Sequence, residues 1–209
     1  MIGPMDDPSL SETSLTNTSL TNTALTNTAF VVVDVETSGL NPRRHRVLQI
    51  ALVTCYGDGR VVDRWSTYVH LGLLRRVGPR RIHGITRAIL REAPHFAEVT
   101  AELHKRTAGA TVVGHNVEFD WAFLAAEHRR CRRPLPDVRL LDTLELSRSS
   151  DPERAQRHRL VDLAERAGLA FAHRHDALAD AEATAAVLPD LFARAGVASL
   201  EDLARVVQR

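Results

Sequence analysis

Apolar runs with period-two character divide the first two thirds of the chain into five predicted strands. Three follow one another at the start, and the second and third are separated by Gly57-Asp58-Gly59, a strong signal for a tight turn between antiparallel strands. Two shorter runs come later, each between helical segments. The predicted strands are residues 29–36 (AFVVVDVE), 47–56 (VLQIALVTCY), 61–70 (VVDRWSTYVH), 111–115 (TVVGH) and 137–143 (DVRLLDT).

Apolar spacing of three and four residues predicts helices between and after these strands. Glycines favour helix ends at 109, 168 and 196, and Ser199 with Asp202 resembles a capping box. The predicted helices cover residues 86–93, 96–109, 118–130, 158–169, 176–196 and 199–207. Strands followed by strand–helix alternation predict a mixed sheet flanked by helices.

The first 28 residues differ from the rest of the chain. Residues 14–28 read SLTNT SLTNT ALTNT, a small polar repeat that is too short to build a core of its own. We therefore expect residues 1–28 to be a disordered low-complexity tail and residues 29–209 to form one domain. The tail contains three acidic residues and no basic residue, so the predicted domain carries a net charge of +4 against +1 for the whole chain.

Nearly all of the basic residues are arginines, and Lys105 is the only lysine. They cluster in segments such as NPRRHR, LLRRVGPRR and HRRCRRP. Such clusters can bind phosphates through bidentate hydrogen bonds, although solvated arginine-rich faces explain them equally well.

Cys55 and Cys131 are too few to suggest a disulfide framework or a zinc site. The N-terminus lacks the basic and apolar regions of a signal peptide, and no apolar run approaches the length of a membrane span. We expect a cytoplasmic protein with no membrane partner.

Four carboxylates stand within otherwise apolar elements. Asp34 and Glu36 lie two residues apart on the first strand and so share a face. Asp120 lies in the apolar start of a helix, and Asp180 heads an apolar helical stripe, with His175 five residues earlier. Each could be a hydrated strand end or an acid that complements a helix dipole. Their recurrence in three segments instead favours a site where divalent cations compensate the charges, because carboxylate oxygens suit Mg²⁺ or Mn²⁺.

The same segments resemble the DEDDh family of 3′–5′ exonucleases, which includes the proofreading subunit of bacterial DNA polymerase III. DVETSGL is similar to the first exonuclease motif, GHNVEFDWAFL to the second and HDALADA to the third, and RRIHGIT and LLDTLELSR are further matches. The resemblance spans roughly residues 29 to 190. It implies a ribonuclease H-like α/β fold, in which a five-stranded mixed sheet has helices on both sides.

Carried over by position, the resemblance implies four metal ligands and one general base. Asp34, Glu36 and Asp180 would bind the first of two Mg²⁺ or Mn²⁺ ions, Asp34 would also bind the second, and Asp120 would support the second through water. His175 would take a proton from the attacking water, a role that suits a side chain titrating near neutrality. The products would be nucleoside 5′-monophosphates and a strand shortened from its 3′ end.

The resemblance also implies contacts to the terminal nucleotide. Thr37 would contact it through its backbone, and Leu40 would wedge against bases. The lesser contacts would be His83, Asn116 and Phe119. Ordinary packing is an equally good account of Leu40 and Phe119, and His83 could simply stabilise its turn.

The expected partner is the 3′ end of a nucleic acid, with DNA favoured over RNA. A polymerase catalytic subunit is a further expected partner, and the expected role is proofreading or repair. The chain ends soon after its last predicted helix and shows no clamp-binding peptide, so a stand-alone repair exonuclease is a serious alternative to a proofreading subunit. An RNA-trimming exonuclease of the same family, a non-catalytic nucleic-acid-binding module and a ribonuclease H-type endonuclease are the alternatives.

Overall fold

The computed structural model describes residues 24–170 and 175–207, and a five-stranded mixed sheet lies at its centre. The strands are β1 (Ala29–Thr37), β2 (Val47–Tyr56), β3 (Val61–Tyr68), β4 (Thr111–Gly114) and β5 (Arg139–Asp142). They are ordered β3-β2-β1-β4-β5, and β1 is antiparallel to β2 and parallel to β4. All five predicted strands are confirmed, as is the antiparallel pairing of β2 with β3 across the Asp58-Gly59 turn.

Eight α-helices occur in the described part of the chain. They are α1 (Arg80–His83), α2 (Arg87–Arg91), α3 (Phe96–Thr107), α4 (Val117–Cys131), α5 (Thr143–Ser149), α6 (Leu160–Arg166), α7 (Ala177–Arg194) and α8 (Leu200–Val207). The six predicted helices are confirmed, and so is the capping of α8, where the Asp202 N–H donates to Ser199 Oγ at 3.2 Å. The short helices α1 and α5 were not predicted.

The helices cover both faces of the sheet, because alternate residues of each strand are apolar toward opposite sides. Phe30 and Val32 of β1 belong to a core with α5, α6, α7 and α8. Val31, Val33 and Val35 belong to a second core with α3 and α4. The mixed sheet with helices on both sides is therefore confirmed, and both faces of β1 are buried.

Residues 24–28 correct the predicted domain boundary at residue 29. Leu25 is 3% exposed and packs in the α7 core, and its N–H donates to the carbonyl of Ala198 at 3.1 Å. A Cβ atom on Gly57 would lie 2.1 Å from the Leu25 carbonyl oxygen, so the β2–β3 turn fits this segment closely. Residues 24–28 belong to the folded domain, whereas residues 1–23 lie outside the described residues and their disorder stays a prediction.

Within residues 24–170 and 175–207, each helix is too short or too polar to cross a membrane.

Candidate active site

The end of β1 carries the first two carboxylates. Asp34 and Glu36 continue the alternation of Phe30 and Val32, so they lie on the α7 side of the sheet. Asp34 is half-buried and Glu36 is 9% exposed. The pairing of β1 with β2 shifts between Glu36 and Thr37, and this irregularity ends the regular ladder where the chain turns away.

Asp120 reaches the same strand from α4. It is 5% exposed, and its Oδ1 accepts a hydrogen bond from the Val35 N–H at 2.9 Å, between the two carboxylates of β1. The turn between β4 and α4 sets this position. Gly114 allows it, because a Cβ there would lie 2.9 Å from the Val117 side chain, and Asn116 adopts a left-handed backbone with φ 68°.

The start of α7 brings Asp180 and His175 to the end of β1. The Asp176 side chain caps α7 by accepting from the Leu178 and Ala179 N–H groups, each at 3.1 Å. The His175 N–H donates to Asp180 Oδ2 at 3.2 Å. Glu36, His175 and Asp180 each offer one potential ligand atom, and these three atoms lie within 4.8 Å of one another. Three such residues can hold a metal ion.

These carboxylates share an unfavourable electrostatic environment. Burial raises the pKa of Asp34 well above its ordinary value, and the negative charges of Asp120, Asp180 and Glu36 raise it further. Burial, with the charges of Asp180 and Asp176, raises the pKa of Glu36 to about 7. Burial also raises the pKa of Asp120, and it raises that of Asp180 to about 6 against the opposing His175 N–H. Each group therefore ionises less readily than in water.

A divalent cation fits this arrangement. No arginine or lysine of the described residues forms an ion pair with Asp34, Glu36, Asp120 or Asp180. Asp180 Oδ1 is buried and has no hydrogen-bond partner among the residues that the structure describes. Because buried oxygens rarely lack a partner, an unpaired carboxylate oxygen beside three other carboxylates marks a position for a hard cation.

The predicted substrate contacts fall into two groups. Leu40 is 83% exposed, Asn116 is exposed, and Thr37 is half-buried with its hydroxyl donating to the Gly39 carbonyl at 2.8 Å. His83 and Phe119 are less accessible. His83 is 8% exposed and its Nδ1 accepts from the Ile85 N–H, whereas the Phe119 ring packs against Phe123 with the ring centroids 5.0 Å apart.

Sequence reasoning missed Gln49 and Asp176, which hold α7 against the sheet. Gln49 lies directly opposite Glu36 on β2 and is 4% exposed. Its Nε2 donates to Asp176 Oδ2 at 3.2 Å, and its Oε1 accepts from the Ala177 N–H at 3.4 Å. A glutamine in the otherwise apolar run of residues 47–53 was the available signal.

Asp142 was missed as well, although it fixes the turn that carries Asn116. Its Oδ1 accepts from the Asn116 N–H at 2.9 Å and from the Leu144 N–H at 2.8 Å, so one carboxylate joins the β4–α4 turn to the start of α5. The neighbouring Thr143 hydroxyl donates to the Gly114 carbonyl at 3.2 Å. These bonds account for the LLDT segment of the sequence.

Comparison with known proteins identifies similar exonuclease domains. The family model described as Exonuclease (RNase_T) matches residues 31–188. The PolC-type DNA polymerase III of Streptococcus thermophilus is 34% identical over 178 residues, which are 83% of this chain and 12% of the polymerase. The 3′-5′ exonuclease DinG of Bacillus subtilis is 32% identical over 164 residues, which are 78% of this chain and 17% of DinG. The chain therefore spans only a small part of these curated relatives.

A solved structure matches over almost its whole length. Exonuclease X, determined in complex with 5′ overhanging duplex DNA, superposes with a TM-score of 0.65 at 26% identity, covering 85% of this chain and 98% of that one. The ribonuclease H-like fold expected from the three motifs is thereby confirmed.

Proposed function

Because the chain belongs to the exonuclease family, we propose that it is a metal-dependent 3′–5′ exonuclease that hydrolyses the terminal phosphodiester of DNA. The substrates are single-stranded or frayed 3′ ends, and the products are nucleoside 5′-monophosphates. The observation that carries the proposal is the convergence of Asp34, Glu36, Asp120 and Asp180 on one strand end, where no cationic side chain of residues 24–170 and 175–207 forms an ion pair with them.

In this proposal the four carboxylates hold two Mg²⁺ or Mn²⁺ ions. When bound, such ions stabilise the negative charge that develops on the attacking and leaving oxygens of a phosphodiester. The carboxylates also fix the geometry, because the rigid β1 ladder and the Val35–Asp120 hydrogen bond hold three of them in place. Oxygen-only ligands on four carboxylates favour Mg²⁺ or Mn²⁺ over zinc.

His175 is the proposed general base. It is exposed at the start of α7, and its backbone bond to Asp180 keeps it beside the carboxylates. From there its imidazole can accept the proton of the water that attacks the terminal phosphorus. Replacement of His175 by alanine is expected to lower turnover and leave metal binding largely intact, and an equal loss of metal affinity would make His175 a ligand instead.

The proposed substrate contacts surround the end of β1. Thr37 and Leu40 follow the carboxylates directly, and Asn116 lies on the turn held by Asp142. These three are exposed or half-buried, which supports direct contact with a terminal nucleotide. His83 and Phe119 are buried or packed, so we assign them secondary roles in shaping this pocket.

DNA is the proposed substrate rather than RNA, in a cytoplasmic setting. Support comes from the relatives, since one is a DNA polymerase and the similar Exonuclease X structure contains duplex DNA. A polymerase catalytic subunit is a proposed partner on the same ground. Cys55 and Cys131 are both free, which is compatible with a reducing compartment.

The direct test is a degradation assay with Mg²⁺ or Mn²⁺ on 5′-labelled and 3′-labelled oligonucleotides. We expect stepwise shortening from the 3′ end and release of 5′-mononucleotides, with Asp34→Ala inactive. Glu165→Ala, which removes an exposed carboxylate of α6, is the matched control and should keep wild-type activity. Undiminished activity of Asp34→Ala would overturn the assignment.

The same assay separates the alternatives when single-stranded DNA, duplex DNA, mismatched 3′ ends and short RNA are compared side by side. Preferential loss of RNA would indicate an RNA-trimming enzyme. Cleavage of a circular single strand would indicate an endonuclease. Binding of oligonucleotides without hydrolysis under any divalent metal would indicate a non-catalytic binding module.

A further inference from the structure

The segment that runs from β3 through α2 is strongly basic. Residues 64–91 contain seven arginines and no aspartate or glutamate. Arg64 pairs with Glu182, and Arg87 binds backbone carbonyls. Four others are exposed and form no ion pair with any residue that the structure describes: Arg75, Arg76, Arg80 and Arg81. We call these four arginines, with Leu73 and Leu74, the basic tip.

Hydrogen bonds from Arg87 and a small apolar core hold the loop that carries the basic tip. The Arg87 guanidinium donates to the carbonyls of Gly72 at 3.2 Å, Leu73 at 3.0 Å and Arg75, which holds the backbone of the loop. Below it, Leu71 packs with Leu48 and Leu90 in a small core. The tip nevertheless presents Leu73 and Leu74 to solvent at 80% and 99% exposure.

Two observations place the basic tip beside the proposed active site. The loop backbone touches the segment after β1, since a Cβ on Gly78 would lie 2.4 Å from the Ser38 carbonyl oxygen. Ser38 directly follows Thr37. Burial lowers the pKa of His83 against the opposing hydrogen bond to the Val77 backbone, and electrostatic interactions with His175 and Arg80 lower it further, so α1 lies near the proposed base as well.

The tip is also continuous with the basic residues that follow β1. Burial lowers the pKa of Arg130, and the positive charges of Arg46, Arg75 and Arg129 lower it further, against the opposing effect of Glu127. The segment after β1 adds the exposed Arg43 and Arg44. One positive surface therefore borders the end of β1, and a polyanion is its complementary ligand.

We propose that the basic tip is a second nucleic-acid contact, which binds the substrate strand on the 5′ side of the nucleotide being removed. Arg75, Arg76, Arg80 and Arg81 bind successive phosphates of that strand, because exposed guanidinium groups bind phosphates bidentately. Leu73 and Leu74 contact the bases between those phosphates. This inference rests on the proposed function, since it takes the 3′ end to lie at the carboxylates.

The test measures binding separately from hydrolysis. A fluorescein-labelled 30-nucleotide single strand is titrated in EDTA at several salt concentrations, with wild type, Arg75→Ala/Arg76→Ala and Arg80→Ala/Arg81→Ala. Each phosphate contact with a single strand contributes about 0.7 to the slope of log K against log salt, so each double variant should lower the slope by about 1.4. Affinity should fall at least about tenfold at low salt.

Two further variants sharpen this test. Arg60→Ala/Arg139→Ala removes two exposed arginines, one in the β2–β3 turn and one at the start of β5, and should leave the slope unchanged, because both lie level with the start of β1, at the opposite end of the strands from the carboxylates. Leu73→Ser/Leu74→Ser should weaken binding severalfold with the slope unchanged, since it removes no charge. In hydrolysis, the KM of the arginine variants should rise at least about tenfold more for the 30-mer than for a trinucleotide.

Unchanged salt slopes in both arginine variants would overturn the inference, and so would equal effects on the 30-mer and the trinucleotide. Binding of poly-glutamate that depends on these arginines, with unchanged oligonucleotide binding, would assign the tip to an acidic protein and overturn it too. Failure of the proposed function looks different, because wild type would then bind the 30-mer in EDTA without hydrolysing it in Mg²⁺.

Discussion

Two regions of this protein bury carboxylates, and they treat the charge in opposite ways. Glu127 of α4 is 1% exposed, and its two oxygens accept from the Arg46 guanidinium at 2.7 Å each. Arg130 and the Val47 N–H add two more donors, at 3.1 and 3.3 Å. At the end of β1, four carboxylates converge with no such donor set in the described part of the chain, and their pKa values are raised.

The difference shows that the chain supplies a cation where a buried carboxylate serves the fold. A buried charge is strongly destabilising without a partner, so carboxylates that pair with no described cationic side chain are neutralised by protons or by a bound cation. Glu127 also serves the other region indirectly. It holds Arg46, whose backbone pairs with Ser38, and Arg130 donates to the Pro42 carbonyl, so the segment after β1 is fixed to α4.

The largest expected effect is the loss of activity when one of the four uncompensated carboxylates is removed. Asp34→Asn keeps the shape of the side chain but removes one charge, and we expect exonuclease activity to fall at least about 10³-fold, because bound ions stabilise the charge of the transition state. In EDTA at pH 9 the same variant should be more stable than wild type by on the order of 1 kcal/mol, since like-charge repulsion is relieved. Single-turnover kinetics and urea unfolding measure the two effects.

Full activity in Asp34→Asn, or lower stability in EDTA, would contradict this view of the site. Glu165→Gln changes an exposed carboxylate in the same way and should alter neither quantity.

Removal of the compensated carboxylate should act in the opposite direction. Glu127→Ala leaves Arg46 and Arg130 without their acceptor, and we expect the free energy of unfolding to fall by about 3 to 5 kcal/mol. Urea unfolding measures it. Glu145→Ala breaks the exposed pair with Arg148 and should cost less than about 1 kcal/mol. An equally small cost for Glu127→Ala would show that the buried network does not stabilise the fold.

The contrast between these two regions was only partly readable from the sequence. Asp34, Glu36, Asp120, His175 and Asp180 each lie within a motif, so their positions could be predicted before the fold was known. Glu127 lies in EHRR, which resembles any charged helix end, and Arg46 is 81 residues away, so only the packing of α4 against the segment after β1 brings the two together.

Local sequence pattern did not predict burial or secondary structure where contacts with distant or neighbouring segments determine them. Leu25 lies in the third of three nearly identical repeats that predict a polar tail, and it is buried because it meets the Ala198 segment and Gly57. Helix α5 was missed because the apolar residues of its short segment, Leu144 and Leu146, lie two apart and show no helical spacing. Capping by Asp142 turns that segment into a helix.

The dependence of stability on pH and on Mg²⁺ should distinguish the uncompensated carboxylates from the rest of the protein. The folded-state pKa values of Glu36 and Asp180 are raised to about 7 and 6, so their stabilising contribution is fully present below about pH 4 and is lost as pH rises through about 6 to 7. Burial lowers the pKa values of His83, His115 and His128, and these groups make stability rise with pH instead. The difference between wild type and Glu36→Gln/Asp180→Asn isolates the carboxylates.

We therefore expect the wild type to lose stability relative to this double variant between pH 5 and 8 in EDTA. Mg²⁺ at about 100 times its dissociation constant should restore about 2.7 kcal/mol to the wild type and little to the variant. Thermal unfolding across this range measures both. A constant difference with pH, or equal stabilisation by Mg²⁺, would show that these carboxylates are compensated within the chain after all.

The smallest expected effect concerns Gln49, a neutral side chain whose hydrogen bonds hold the start of α7 beside the uncompensated carboxylates. Gln49→Ala removes the bonds to Asp176 and to the Ala177 N–H, which should cost about 1 to 2 kcal/mol of stability. The control is Thr107→Ala, which removes a buried hydrogen bond to the Leu103 carbonyl in α3 and should lower stability without changing the Mg²⁺ dependence of activity. Because Gln49 fixes the helix start that carries His175 and Asp180, its loss should also weaken Mg²⁺ activation severalfold, read as a higher Mg²⁺ concentration for half-maximal activity. If both variants require the same Mg²⁺ concentration, the uncompensated carboxylates do not depend on neutral hydrogen bonds to hold them in place, and the ions alone would have to order the site.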